Sequence, residues 1–279
     1  MQIIVDANSV CHRVKYTLRG LSYQEKLVGV VFGFLRQILS IAKRFDTNQF
    51  IFCWDSHSRK RAQIYASYKA NRHKDLTEEE KELNAIAYAQ FDELRTTILP
   101  KLGFRNNFIA EGYEADDIIA RIIKDNSYNF VIVSTDNDLY QLLSPRVSMM
   151  TDLKKPLYTE DSFCLEYSIA PEQWIVVKSI AGCLVDNIVG VEGVGIKTAI
   201  KFIQGNLPRE KRLYEKIVSA FDLIELNKHL VSLPLKGTPH FILLKGELSL
   251  DGFIDVASKY GFASFLKKDN FKVWKQVIF

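Results

Sequence analysis

Three apolar runs each lead into an aspartate, and that placement constrains the fold more than any other feature of the chain. Ile3-Ile4-Val5 runs into Asp6, and Phe52-Cys53-Trp54 into Asp55. Val133-Ser134-Thr135 runs into Asp136, with Asp138 two residues further on. Residues 2–5, 50–54 and 129–134 are nearly continuous in β-branched or aromatic side chains, the pattern of strands covered on both faces. Helical patterns over 23–44, 77–102 and 114–124 separate or follow them, and Thr77-Glu78-Glu79-Glu80 is a capping-box start. Strands alternating with helices predict an α/β fold with a mostly parallel sheet and flanking helices. The carboxyl ends of such strands form the functional edge, so the aspartates converge on one crevice. One Asp after a strand is an ordinary turn residue that bonds its own backbone. Three strands ending this way, one with a doubled Asp-x-Asp, favour a site.

A fourth acidic group adds to them. Glu114, Asp116 and Asp117 open the helix Ile118-Ile119-Ala120. Acids in a first helical turn suit the helix dipole. That accounts for one or two of them, whereas three clustered like charges repel, and Glu114 and Asp117 share a face at i,i+3. Carboxylates crowded into one crevice are costly unless cations bind there. Mg²⁺ suits such a set, being a hard ion held by carboxylates, water and substrate phosphate. Two ions of this kind can activate water and stabilise a leaving oxygen in phosphodiester cleavage. The chain has no His or Cys grouping with zinc spacing, no Walker loop and no G-x-S-x-G.

Composition excludes little. The 279 residues are 47% hydrophobic and 25% charged, with a net charge of +4, so overall charge does not announce a nucleic-acid binder. Local sign segregation says more. Residues 56–74 hold Arg59, Lys60, Arg61, Lys69, Arg72 and Lys74 with no acid, and an acidic run over 75–82 follows. A solvated basic loop is one reading. The other is a nucleic-acid surface, its cations tracking phosphates while Tyr65 and Tyr68 stack on unpaired bases. Cys11, Cys53, Cys164 and Cys183 are widely spaced, which predicts reduced thiols. No run approaches the roughly 20 apolar residues of a membrane span. The apolar start is too short for a signal peptide, so a cytoplasmic location without membrane attachment is expected.

After Pro171 helical patterns dominate, over 171–181, 195–204, 209–226 and 250–260. They predict a largely helical second region, starting near residue 165 and packed on the α/β core. Gly193 and Gly195 open the helix that carries Lys197 and Lys201. Glycines let a phosphate approach the backbone, and helix N-terminal amides then bind it. An ordinary tight turn reads equally well there.

The order of these segments resembles one family. Val5-Asp6-Ala7-Asn8 comes first, then Trp54-Asp55 and Tyr68-Lys69-Ala70-Asn71-Arg72. Glu114-Ala115-Asp116-Asp117 and Ser134-Thr135-Asp136-Asn137-Asp138 follow, and Asp186-Asn187 leads into Gly190-Val191-Glu192-Gly193-Val194-Gly195-Ile196-Lys197-Thr198-Ala199. The series, spanning about residues 2–265, resembles the 5′-3′ exonuclease and flap endonuclease family, in particular phage enzymes and the N-terminal nuclease domain of DNA polymerase I.

The resemblance implies a PIN-like core over 1–165 with a helical arch at about 56–100. It implies a helical DNA-binding region over 166–279, with a helix–hairpin–helix at about 180–204 whose loop carbonyls hold K⁺. Asp6, Asp55, Glu114 and Asp116 look like ligands of a first Mg²⁺, with Mn²⁺ as a substitute. Asp117, Asp136 and Asp138 look like ligands or outer-shell groups toward a second, to which Asp186 also belongs. Lys69 and Arg72 would steer the scissile phosphate and neutralise transition-state charge. Arg59, Lys60, Arg61, Lys74, Lys197 and Lys201, with Tyr65 and Tyr68, would hold DNA, the duplex non-specifically through its backbone. The implied reaction is in-line hydrolysis by activated water near a 5′ end or flap, leaving 5′-phosphate and 3′-hydroxyl. The implied partners are DNA with a single-stranded 5′ end, an RNA–DNA primer and a replicative polymerase, and a monomer is expected. A free-standing form of this length fits a phage replication enzyme or a stand-alone bacterial homologue.

One position departs from the family pattern Gly-Asp-x-x-Asp-Asn. Here it reads Gly182-Cys183-Leu184-Val185-Asp186-Asn187. Three outcomes are open: Asp186 compensates through water, Cys183 binds a softer ion as thiolate, or the second ion binds weakly and only with DNA. Weak or water-mediated binding is favoured, because a thiol is a poor Mg²⁺ ligand. On that reading Cys183→Asp lowers the Mg²⁺ needed for half-maximal cleavage. Two rivals stand beside the nuclease reading. One is a junction-binding homologue with weakened chemistry, for which Cys183 is the only support. The other is a PIN-domain ribonuclease.

Overall fold

The computed structural model describes residues 1–18, 20–71 and 77–279. Its centre is a five-stranded parallel sheet. Numbered along the chain, its strands are β1 (Gln2–Asp6), β2 (Phe50–Trp54), β3 (Asn107–Ile109), β4 (Phe130–Val133) and β5 (Val147–Met150). They lie in the spatial order β3–β2–β1–β4–β5. The connections therefore leave in opposite directions on either side of β1, and a crevice opens between the carboxyl ends of β1 and β4. The three expected strands are β1, β2 and β4. The edge strands β3 and β5 are additional, being too short and too mixed to stand out in sequence.

Continuous apolar runs are what such a sheet needs, because each face packs a separate core. Ile3, Val5, Phe50, Phe52, Trp54, Val131 and Val133 face one core together with the helix Gly29–Phe45. Ile4, Ile51, Cys53, Phe130 and Ile132 face the other, with the helices Ala115–Asp125 and Trp174–Ala181. The residue alternation of each strand thus divides between two apolar layers.

The helix expected over 77–102 starts with the Thr77/Glu80 capping box and continues through a wider turn at Leu94–Ile98 to Lys101. The pattern over 23–44 is a short ribbon, Ser22–Tyr23 paired with Lys26–Leu27, followed by the helix Gly29–Phe45. The pattern over 209–226 is two helices, Arg212–Ser219 and Phe221–Val231, broken at Ala220. The helix Ala7–Thr17 was not expected; the Asp6 carboxylate caps it by accepting from Ser9 N–H.

The helical residues after 165 do not stay together. The helices between Trp174 and Val231 lie on the β4 side, where they meet the second core. The helices Leu250–Lys259 and Lys268–Val277 return to the first, where Phe253, Phe265, Trp274 and Ile278 pack beside the helix Gly29–Phe45.

Candidate active site

Asp6 ends β1, opposite Cys53 of β2. Ser134 follows Val133, the partner of Val5, so its hydroxyl reaches across and donates to Asp6 Oδ2 at 2.8 Å. Asp55 lies just past β2, where its Oδ1 accepts Ala115 N–H at 2.8 Å and its own N–H donates to Asn8. That bond sets the start of the helix Ala115–Asp125 and brings Asp116 to the same crevice. Asp136 caps the turn after β4 by accepting Asp138 N–H at 2.9 Å. Four elements thus deliver Asp6, Asp55, Asp116 and Asp136 to the switch point of the sheet.

Their electrostatics show an excess of negative charge. Burial, then the Asp55 charge, pushes the Asp6 carboxyl up to about 7, against the opposing bonds from Ser9 and Ser134. Burial and Asp138 push Asp136 up to about 6, although Asp138 N–H and Lys178 oppose this. Asp116 is raised well above the usual range by burial and then by Asp136, Asp6, Asp55 and Glu114. Hard oxygen donors short of positive charge are the donor set that fits a divalent cation.

Glu114 stands apart from them. Its Oε1 accepts from Lys69 and Ser58, while its Oε2 accepts the Tyr68 hydroxyl at 3.0 Å and lies 3.5 Å from Arg61. Burial opposes its charge, but Lys69 and Arg61 outweigh burial and bring its pKa down to about 2. Glu114, expected as a ligand of the first ion, has both oxygens engaged here and anchors Lys69 beside the cluster.

Three expected roles are corrected by burial and hydrogen bonding. Asp117 is fully buried and does not face the second metal position. Its two oxygens take a bidentate pair from Arg61, at 2.5 and 2.8 Å, and the amides of Leu235 and Glu114. Arg61 is accordingly no DNA contact: it is 3% exposed, and its Nε donates to Leu230 O. Tyr68 is 7% exposed, packed with Ile188, Leu230 and Val231, and its ring is not open to bases. Tyr65 is half-buried against the same cluster. Arg72 and Lys74 lie outside the described residues, whereas Arg59 and Lys60 are exposed and Arg59 pairs with Glu111.

Asp138, Cys183 and Asp186 form a second group, with a ligand atom from each lying within 4.8 Å of the others. The ribbon Gly182–Cys183/Ile188–Val189 carries two of them. It needs glycine at its start, since a Cβ on Gly182 (φ +74°) would stand 2.4 Å from Gly190 N. Backbone and side-chain bonds tie the ribbon to the basic segment: Lys69 N–H to Asp186 O at 2.9 Å, Asn71 to Leu184 O, and Asn187 to Ser67 O. Lys178 was missed in the sequence. It is buried, pairs with Asp138 at 2.7 Å, and is the one cation in the apolar helix Trp174–Ala181, which is the signal that could have marked it.

A cleft of about 760 Å³ leads from Asp55, Lys69 and Glu114 toward the helix Glu78–Glu93, with His12, Tyr88 and Phe91 on its wall. Further away, at the start of the helix Ile196–Ile203, a Cβ added to Gly193 would meet nothing closer than 3.7 Å and one added to Gly195 nothing within 4 Å, and Lys197 and Lys201 are exposed.

Residues 1–168 match the family model described as 5′-3′ exonuclease, N-terminal resolvase-like domain. The chain is 31% identical over 221 residues to a 5′-3′ exonuclease of Halalkalibacterium halodurans, covering 72% of this chain and 70% of that one. It is 30% identical over 207 residues to a thermostable DNA polymerase I of Thermus thermophilus, covering 72% of this chain but only 24% of the polymerase. A solved structure of T5 5′-exonuclease with bound zinc ions superposes with a TM-score of 0.73 at 27% identity, over 84% of this chain and 89% of that one. With the model matched over more than half its length, the chain belongs to the 5′-3′ exonuclease family.

Proposed function

We propose that this chain is a divalent-metal-dependent 5′ nuclease that hydrolyses DNA phosphodiesters near 5′ ends or flap junctions. The observation that carries the reading is the charge-deficient carboxylate cluster of Asp6, Asp55, Asp116 and Asp136 at the sheet's switch point. These residues would hold a hard divalent cation, with Mg²⁺ the best match to an all-oxygen set. Bound there, such an ion supplies Lewis acidity and a ready water nucleophile.

The chain's own residues do the rest. Lys69, anchored by Glu114 and 3.8 Å from Asp186, is aimed at the crevice and offers its charge to the scissile phosphate. The Arg61–Asp117 pair and the Tyr68 hydroxyl hold Glu114 in place beneath it. The cleft beside the helix Glu78–Glu93 would take the unpaired strand. The helix start at Gly193 and Gly195, with Lys197 and Lys201, would bind the duplex backbone. The family membership of the chain and the DNA-bound state of a related T5 flap endonuclease support this reading.

A 5′-flap substrate titrated with Mg²⁺ or Mn²⁺, with product ends mapped, tests it. Metal-dependent release of 5′-phosphorylated products, abolished by EDTA, is the expected outcome. Tight flap binding without cleavage under any divalent ion would instead favour the junction-binding reading, for which Cys183 is the supporting residue.

A further inference from the structure

The nuclease reading leaves the group Asp138, Cys183 and Asp186 without a defined ion. We propose that this position takes a thiophilic divalent cation, of the Zn²⁺, Co²⁺ or Cd²⁺ kind, in preference to Mg²⁺, with the Cys183 sulfur bound directly. The inference rests on the nuclease reading for the position's role and on this chain's geometry for its selectivity.

Sulfur and both carboxylates present atoms within 4.8 Å of one another. Three donors bound at about 2.0–2.3 Å to a single tetrahedral ion stand roughly 3.3–3.8 Å apart. The three donors therefore reach ligation spacing by side-chain adjustments of about 1 Å or less, which places direct coordination within range. The donors are also prearranged by their backbone. Cys183 is fixed by strand pairing with Ile188 and by the Gly182–Gly190 crossing, and Asp186 by the bond from Lys69 N–H to its carbonyl. All three side chains are only partly buried, so an ion can enter from solvent.

The chemistry of the set decides which ion. Mg²⁺ demands oxygen ligands in near-octahedral array, and sulfur serves it poorly. A thiolate with two carboxylates is a mixed set suited to borderline and soft ions. On binding, the Cys183 S–H bond breaks, the proton goes to solvent and the sulfur lone pair forms the metal bond. Thiol and M²⁺ become thiolate–M⁺ and H⁺. Burial and the Asp186 and Asp138 charges push the Cys183 thiol up against the opposing Lys178 ammonium, so it is the cation itself that would draw the proton off. Elsewhere Cys11 and Cys53 are buried, and Cys164 lies on the separate helix Glu160–Tyr167.

The test is titration of the metal-free full chain with Co²⁺ alone, following the sulfur-to-cobalt charge-transfer absorption in the near ultraviolet. The expected result is a band that saturates at one thiolate-bound Co²⁺ per chain and persists under a large excess of Mg²⁺. It should disappear in Cys183→Ser. Cys183→Asp should also lose the band and gain about tenfold or more in Mg²⁺ affinity by calorimetry. Circular dichroism checks that both variants are folded. A missing band, a band retained in Cys183→Ser, or displacement by equimolar Mg²⁺ would overturn the proposal. Flap cleavage is scored separately: a normal band with no cleavage under any ion sinks the nuclease reading and leaves the ion assignment standing.

Discussion

Arg61 grips both oxygens of Asp117 in a buried, bidentate pair, at 2.5 and 2.8 Å, beneath the carboxylate cluster. Burial alone would disfavour the guanidinium charge, but Asp117 more than restores it and raises the Arg61 pKa. Arg61→Ala leaves Asp117 charged and uncompensated in the interior, which costs roughly 3–5 kcal/mol. Urea unfolding should show that loss. A change below about 1 kcal/mol together with weakened DNA binding would return Arg61 to the DNA-contacting set.

Tyr68→Phe removes only the hydroxyl that bonds Glu114. Stability should fall by about 1 kcal/mol, and cleavage should slow while flap affinity, measured by anisotropy, stays constant. Lost affinity at an unchanged rate would mean that the hydroxyl meets DNA instead.

In the metal-free chain the carboxylate cluster repels itself. Asp116→Asn should therefore stabilise the protein under EDTA, by about 1 kcal/mol or more, while abolishing cleavage. Calorimetric scans of both proteins decide this, and a lower Tm for the variant would contradict it.

Burial of these carboxyls, together with that repulsion, sets a pH dependence. Asp6, at about 7, and Asp136, at about 6, hold protons in the folded state that the unfolded chain releases near 3.8. Between these values the folded state binds more protons, so stability falls as pH rises from about 4 to 7. Glu114, at about 2, has the opposite sign, but its window lies below 4.5. Under EDTA the urea midpoint should be higher at pH 5 than at pH 8, and saturating divalent metal should flatten the difference. Equal midpoints without metal would refute the electrostatic account.

Lys197→Ala, at the exposed helix start, should weaken duplex binding and reduce the slope of log affinity against log salt by about 0.9. Metal affinity should stay unchanged. Parallel slopes for the two proteins would remove Lys197 from the interface.

The strand ends were legible because a buried parallel strand must be apolar throughout, so a terminal Asp stands out. Asp6, Asp55 and Asp136 could be read for that reason, and Asp116 from its place in a crowded helix start. Arg61 and Asp117 could not be sorted the same way. A cation in a basic run looks alike whether it faces phosphate or an interior carboxylate, and only the packing of Leu230 and Leu235 over the pair distinguishes the two. Tyr68 was misread for a similar cause, since an aromatic amid cations suits both stacking and burial. Lys178 was readable in principle, as a lone charge in an apolar helix. The edge strands β3 and β5 carry too little pattern in three or four residues each.

The return of the last thirty residues to the first core also orders the folding of the chain. Asn48 bonds Ile278 O, and Trp274 and Ile278 are completely buried beside residues from the first fifty. Contacts spanning almost the whole sequence close slowly. During synthesis Phe32, which stacks on Phe265 and meets Phe262 edge-on, lacks those partners until the residues after 260 have been made. The nuclease edge can thus be assembled before the opposite wall of the domain is sealed, and trimming the chain near residue 249 would convert a closed core into an aggregating surface.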